Sequence, residues 1–202
     1  MRNGAFVVLL ASVSLSGCNY AAKQVLGDQA LVISPTKGQR LEAGRIYRVK
    51  KGGVFSPVCS ADMGNKALQY IKVETVEDSS DVVADQIPGE GAKLVVPGFP
   101  ELQVPYYKTQ VTGYRVKTAS PSGNSDLYTE IANGVGSNCR KLLAQDNVIV
   151  VESEARAKQS AQLVKGPINE LAIGVAKIDK IGDQIVLRSP KNVTFGVVVA
   201  QP

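Results

Sequence analysis

The sequence predicts an α+β fold with a β-rich N-terminal half, amphipathic helices in the middle and a C-terminal antiparallel three-stranded meander. Three observations carry that expectation. β-branched and aromatic runs from Ala30 to Thr118 are punctuated by Gly and Pro; apolar residues after Ser125 recur at helical spacing; and three apolar runs joined by short turns close the chain.

The chain opens on one basic side chain, Arg2, followed by the apolar run "AFVVLLASV" and then small residues leading to Cys18. A membrane-crossing helix needs about 20 apolar residues. This shorter run with its basic flank has the form of a secretory signal. Within it Leu15, Ser16, Gly17 and Cys18 resemble the lipobox of bacterial lipoproteins. The resemblance implies cleavage before Cys18 and lipidation of its thiol and amine, so that two or three acyl chains hold the protein at the membrane. Asn19, where an Asp would favour inner-membrane retention, fits transport to the outer membrane, facing the periplasm. The expected organisation is a signal peptide over 1–17, a lipidated N-terminus and tether over 18–29, and a single α+β periplasmic domain over 30–202, with a possible sub-boundary near 118–125.

The strands of the first half are read at "ALVIS", "RIYRV", "QYIKVETV", "DVVADQI", "KLVV" and "YYKTQVTGYRVKT", with turns at "TKGQ", "KGG", "PGEG" and "PGFP". Between two of these runs "VEDSSD" reads as a solvated acidic loop. In the second half Leu127, Ile131, Val135 and Cys139 fall four apart and Leu142 and Leu143 extend the stripe, which predicts one helix with Ser125 as its N-cap. Gly134 and Gly136 weaken it, by about 1 kcal/mol each relative to Ala. "NVIVV" reads as a strand. The following "ESEARAKQSAQLVKG" satisfies two templates: strict alternation, or a helix in which Glu152 precedes Arg156 and Glu154 precedes Lys158 by four, with Gly166 and Pro167 as a stop. The helix is the expectation taken. "LAIGVAKI", "QIVLRS" and "VTFGVVVA" supply the meander.

Cys59 and Cys139 are the cysteines left after lipidation. Export puts them in a disulfide-permissive compartment, and the expectation is a Cys59–Cys139 bridge, with two buried thiols as the alternative. No zinc site is expected from two thiols and no histidine. The absence of histidine also removes Ser-His-Asp and Cys-His catalysis. Carboxylates remain as candidate acids and bases, among them Glu77, Asp78, Asp81 and Asp85, but no spacing marks a catalytic pair. Weak calcium binding by the same oxygens is the other chemistry open to them. No phosphate-cradling motif is present, and no cofactor is expected.

The formal charge of +5 falls to +4 once Arg2 is removed with the signal, and acidic residues are interspersed throughout. Neither pattern is that of a nucleic-acid binder. The densest basic stretch holds Arg45, Arg48, Lys50 and Lys51, and Tyr106 and Tyr107 lie in an aromatic-rich segment; together they form the candidate binding surface. The functional expectation is a non-catalytic, membrane-anchored envelope lipoprotein whose partner is an envelope protein of a secretion, pilus or membrane-assembly machine. Peptidoglycan or lipopolysaccharide is the alternative ligand, and a carboxylate-based envelope hydrolase the third reading.

Overall fold

The computed structural model describes residues 21–33, 38–50, 53–63, 67–85, 92–94, 102–104, 107–164, 177–181 and 184–201. In chain order the elements are α1 (Ala21–Leu26), β1 (Leu31–Val32), β2 (Ile46–Lys50), β3 (Val54–Val58), α2 (Ser60–Met63), a 3-10 turn over Ala67–Tyr70, β4 (Ile71–Asp85), β5 (Ala92–Leu94), β6 (Leu102–Val104) and β7 (Tyr107–Pro121). They continue with α3 (Leu127–Gly134), α4 (Ser137–Leu143), β8 (Val148–Val164), β9 (Lys177–Ile181), β10 (Gln184–Arg188) and β11 (Val193–Val199). The α+β expectation holds at this level, with strands dominating.

β8 is the spine of an antiparallel sheet. Along one side it pairs first with β2 (Ile46↔Val150) and then with β7 (Thr118↔Ser153 through Tyr107↔Val164). Along the other it pairs with β11 (Val199↔Val151 to Val193↔Ala157) and then β10 (Arg188↔Ala161 to Ile185↔Val164). β3 extends the sheet beyond β2, β4 beyond β7, β1 beyond β11 and β9 beyond β10. β5 and β6 form a separate two-stranded ribbon. Of the expected C-terminal meander, β9 and β10 form a hairpin and all three strands are antiparallel to a neighbour. β11 reaches the others through β8, because β10 and β11 occupy successive lengths of the same β8 edge. Leu171–Ala176 lie outside the described residues.

The helix expected over "ESEARAKQSAQLVKG" is corrected: its residues 152–164 are the body of β8, and 165–166 lie outside the described residues. Two i,i+4 ion pairs contribute about 0.2–0.5 kcal/mol each to a helix. Against that, the strand buries Ala155 and Ala157 completely on one face and puts Glu154 and Arg156 on the other, while its backbone bonds to neighbours on both sides. The "VEDSSD" loop is corrected too. It is the middle of β4, where a bulge between Asp78 and Asp81 lets one strand run through. Gly113 stands opposite the bulge at φ 60°, a conformation that suits glycine, and a Cβ there would meet Lys158 Cδ at 3.2 Å.

The single helix expected after Ser125 is two, α3 and α4, broken at Val135 and Gly136. Asp126, one residue beyond the expected cap, is the N-cap: its carboxylate accepts from the Thr129 amide at 2.8 Å, while Ser125 Oγ donates to Glu130. The apolar stripe is as read except at Leu142, which is only partly buried. Leu127, Ile131, Val135, Cys139 and Leu143 pack with Ile46, Met63, Ile71, Val148 and Val150 into one core. Cys59 and Cys139 stand at bonding distance with Cα atoms 5.8 Å apart, joining the turn after β3 to α4.

From Ala21 onward the segment expected as a tether is a helix on the sheet. Ala21 and Ala22 are 5 % and 1 % exposed and pack with Val82, Val111, Ala155, Ala157 and Phe195.

Candidate functional site

A β-sheet recognises other chains through its free edges, so the chemistry of each edge decides where a partner strand can add. β3 is short and closed. The Gln39 side chain lies along it like a strand peptide, its Oε1 accepting from the Phe55 amide at 2.8 Å and its Nε2 donating to the Gly53 carbonyl at 2.9 Å. Two residues on, Pro57 has no N–H to offer. β1 has only two residues.

β4 is different. Fifteen residues long, it pairs as a strand only with β7 among the described residues, and at Val83 its carbonyl is taken by Gln24 Nε2 at 3.2 Å. "IKVETVEDSSDVVAD" contains no proline and carries five carboxylates against one lysine. Lys72 to Glu77 are exposed on both faces, with Val73, Val76 and Val83 at 45 %, 64 % and 42 %. Asp78 is fixed at the bulge, where it accepts from the Ser80 amide at 2.7 Å and from Tyr114 Oη at 2.9 Å. Those bonds, the backbone one first, hold its carboxyl below the ordinary range. Glu77 meets Lys158 of β8 at 3.4 Å, across a β7 that offers no side chain at Gly113. The edge therefore presents a row of backbone donors and acceptors flanked by acids and small apolar side chains.

The expected basic surface is divided by the alternation of β2. Arg45 falls with Tyr47 and Val49, at 3.7 Å from Glu42, whereas Arg48 and Lys50 fall with Ile46, and Arg48 Nη2 donates to Gln145 Oε1 at 3.2 Å. Lys51, Tyr106 and Cys18 lie outside the described residues, and Tyr107 is the first residue of β7. Arg45 does line an open groove of about 470 Å³ together with Arg40, Glu42, Tyr47, Phe55 and Pro57. Behind it sits a charge cluster that sequence reading missed. Glu154 is fully buried, bonded to Arg156 Nε at 2.7 Å, and Arg156 also donates to the Leu41 carbonyl and stands 3.9 Å from Glu42. The second oxygen of Glu154, Oε1, has no hydrogen-bond partner among the described residues. Burial raises the Glu154 carboxyl against the opposing pull of Arg156, and burial likewise raises the Tyr47 phenol, whose Oη accepts from the Glu42 amide at 2.9 Å. The alternation in "ESEAR" was the available signal, since it sets an acid and a base two apart on one strand face.

Of the four carboxylates weighed for hydrolysis, Glu77 is taken by Lys158, Asp78 by the bulge, and Asp81 is exposed; nothing is described of the Asp85 side chain. Among the described residues no three acidic or cysteine side chains converge as a metal site, and no helix is long and apolar enough to cross a membrane. No family model matches this chain, and no curated protein matches it in sequence.

Proposed function

We propose that the chain is a non-catalytic envelope lipoprotein, anchored through Cys18 at the outer membrane, that binds an envelope protein by accepting an extended strand along β4. The observation that carries this reading is the contrast between edges: β3 is closed by Gln39 and Pro57, whereas β4, 15 residues long, meets no second strand among the described residues. Its acids name the partner's chemistry. Two copies of β4 laid together would oppose like charges, which disfavours self-pairing, while a Lys- or Arg-bearing strand would be complementary. A component of a secretion, pilus or membrane-assembly machine fits such a role.

The test places a photo-crosslinking residue at Val76 of the full-length lipidated protein in intact envelopes, with a second at exposed Val54 beside the closed edge. The expected product is one envelope protein crosslinked at Val76 through a basic extended segment, and lost when Glu74 and Glu77 are both replaced by Lys. Crosslinking from Val54 alone, or crosslinks at Val76 indifferent to that reversal, would remove the edge from the reading.

A second reading is favoured by one observation, the groove in which Arg40 and Arg45 stand beside Tyr47 and Phe55. Such a lining suits an anionic glycan of the peptidoglycan or lipopolysaccharide. Sedimentation with purified sacculi, abolished by Arg40→Ala with Arg45→Ala, would transfer the function to the groove.

A further inference from the structure

The attachment of α1 determines how far the folded body can stand from its anchor. Helix and sheet approach each other closely because β11 has a glycine at the contact. A Cβ on Gly196 would lie 2.5 Å from the Ala22 Cβ and 3.3 Å from Leu26 Cδ1. Gln24 Nε2 donates to the Val83 carbonyl at 3.2 Å, so α1 is also tied to β4. At its C-terminal end the Gly27 amide bonds back to the Lys23 carbonyl with φ at 88°, the Ala30 amide bonds to the Gly27 carbonyl, and the chain enters β1 opposite Val197. Across α1 and β1 the chain is held to the sheet at both ends of the helix and at its middle.

Three residue steps separate Cys18 from Ala21, a span of at most about 11 Å. A free chain over Asn19 to Gln29 would span up to about 36 Å by the same measure. We propose that α1 is a docking stem that holds the α1-bearing face of the sheet against the headgroup layer of the bilayer, so that the protein lies on the membrane rather than at the end of a tether. The occupant of that face is a lipid surface, and the β4 edge, bonded to α1 at Val83, is thereby presented beside it. The inference rests on the lipobox reading of Cys18.

The test uses the full-length lipidated protein in vesicles of phosphatidylethanolamine and phosphatidylglycerol that contain a nickel-chelating lipid, with nitroxides at Asp28→Cys or Ser122→Cys. Asp28 lies two residues past α1 and is exposed; Ser122, just past the end of β7, is exposed about 40 Å along the sheet from the level of Val83. The expected result is a relaxation of the Asp28 probe by headgroup nickel several-fold greater than that of the Ser122 probe. A flexible Gly-Ser insert of about 12 residues between Tyr20 and Ala21, which adds a root-mean-square reach of about 20 Å, should abolish the difference. Gly196→Val, which expels α1, should abolish it as well while the protein still floats with the vesicles. Equal relaxation at the two sites, or a difference that survives the insert, overturns the proposal while leaving lipidation intact. An intact mass without the diacylglyceryl increment, with no flotation, overturns both the proposal and the lipobox reading beneath it.

Discussion

At the scale of single residues the burial of Glu154 has the sharpest consequence. Its carboxyl is raised by desolvation, so the folded protein holds that proton more tightly than the unfolded chain does. A contribution of this sign is fully present below the unfolded carboxyl's pKa and is lost as pH rises through the folded value. Urea unfolding between pH 4 and 8 should therefore show Glu154→Gln falling less with pH than wild type; an equally steep decline would assign the titration to another group. Arg156→Ala strands the buried carboxylate and should cost about 3 kcal/mol. Asp126 behaves in the opposite sense. Its carboxyl is lowered by the Thr129 amide, so its support of α3 is present above the ordinary aspartate range and lost as pH falls through the lowered value. Asp126→Ala should lower the melting temperature at pH 7 and leave it unchanged in strong acid, whereas a deficit of equal size at both would point to a role other than the charged cap.

At the scale of elements the disulfide gives the next measurable effect. Closing a loop over a separation of 80 residues corresponds to about 4 kcal/mol in the chain-entropy view. Cys59→Ser with Cys139→Ser should approach that loss in chemical denaturation, and a loss well under 1 kcal/mol would show that the packing of Leu127, Ile131 and Leu143 holds the helices by itself. Gly113→Ala should destabilise the β4–β7 pair through its positive φ and the nearby Lys158, visible as faster amide exchange across the bulge. The extended elements were mostly legible from β-branched runs, because those side chains suit a pleated, half-buried surface. β3 was missed because "VFSPV" contains a proline, the same residue that closes its edge. β8 was misread because Glu152, Glu154, Arg156 and Lys158 satisfy helix pairing and strand alternation equally, and only the neighbours on both sides decide between them. The open edge of β4 was not legible at all: edge status is a property of pairing across the whole chain. The α3–α4 stripe was read correctly, but a pair of glycines two apart was enough to divide it.

For the whole molecule, the proposed anchor and the sheet make separable predictions. On the proposed anchoring, Cys18→Ala should move the protein from the membrane to the soluble periplasmic fraction with its urea midpoint unchanged, since residue 18 precedes every described element. A shift in that midpoint would mean that the acyl chains pack on the domain. The position of β8 in the sequence has a temporal consequence. β2, β7, β10 and β11 have no common partner until residues 148–164 are available, and β11 ends at Val199. Strand pairs so distant along the chain make folding slow and concerted, because loop closure must precede the contacts that reward it. In a chain that emerges N-terminus first, the β2–β3 and β4–β7 pairs would thus wait as separate pieces, and the sheet would join them only once β8 had emerged.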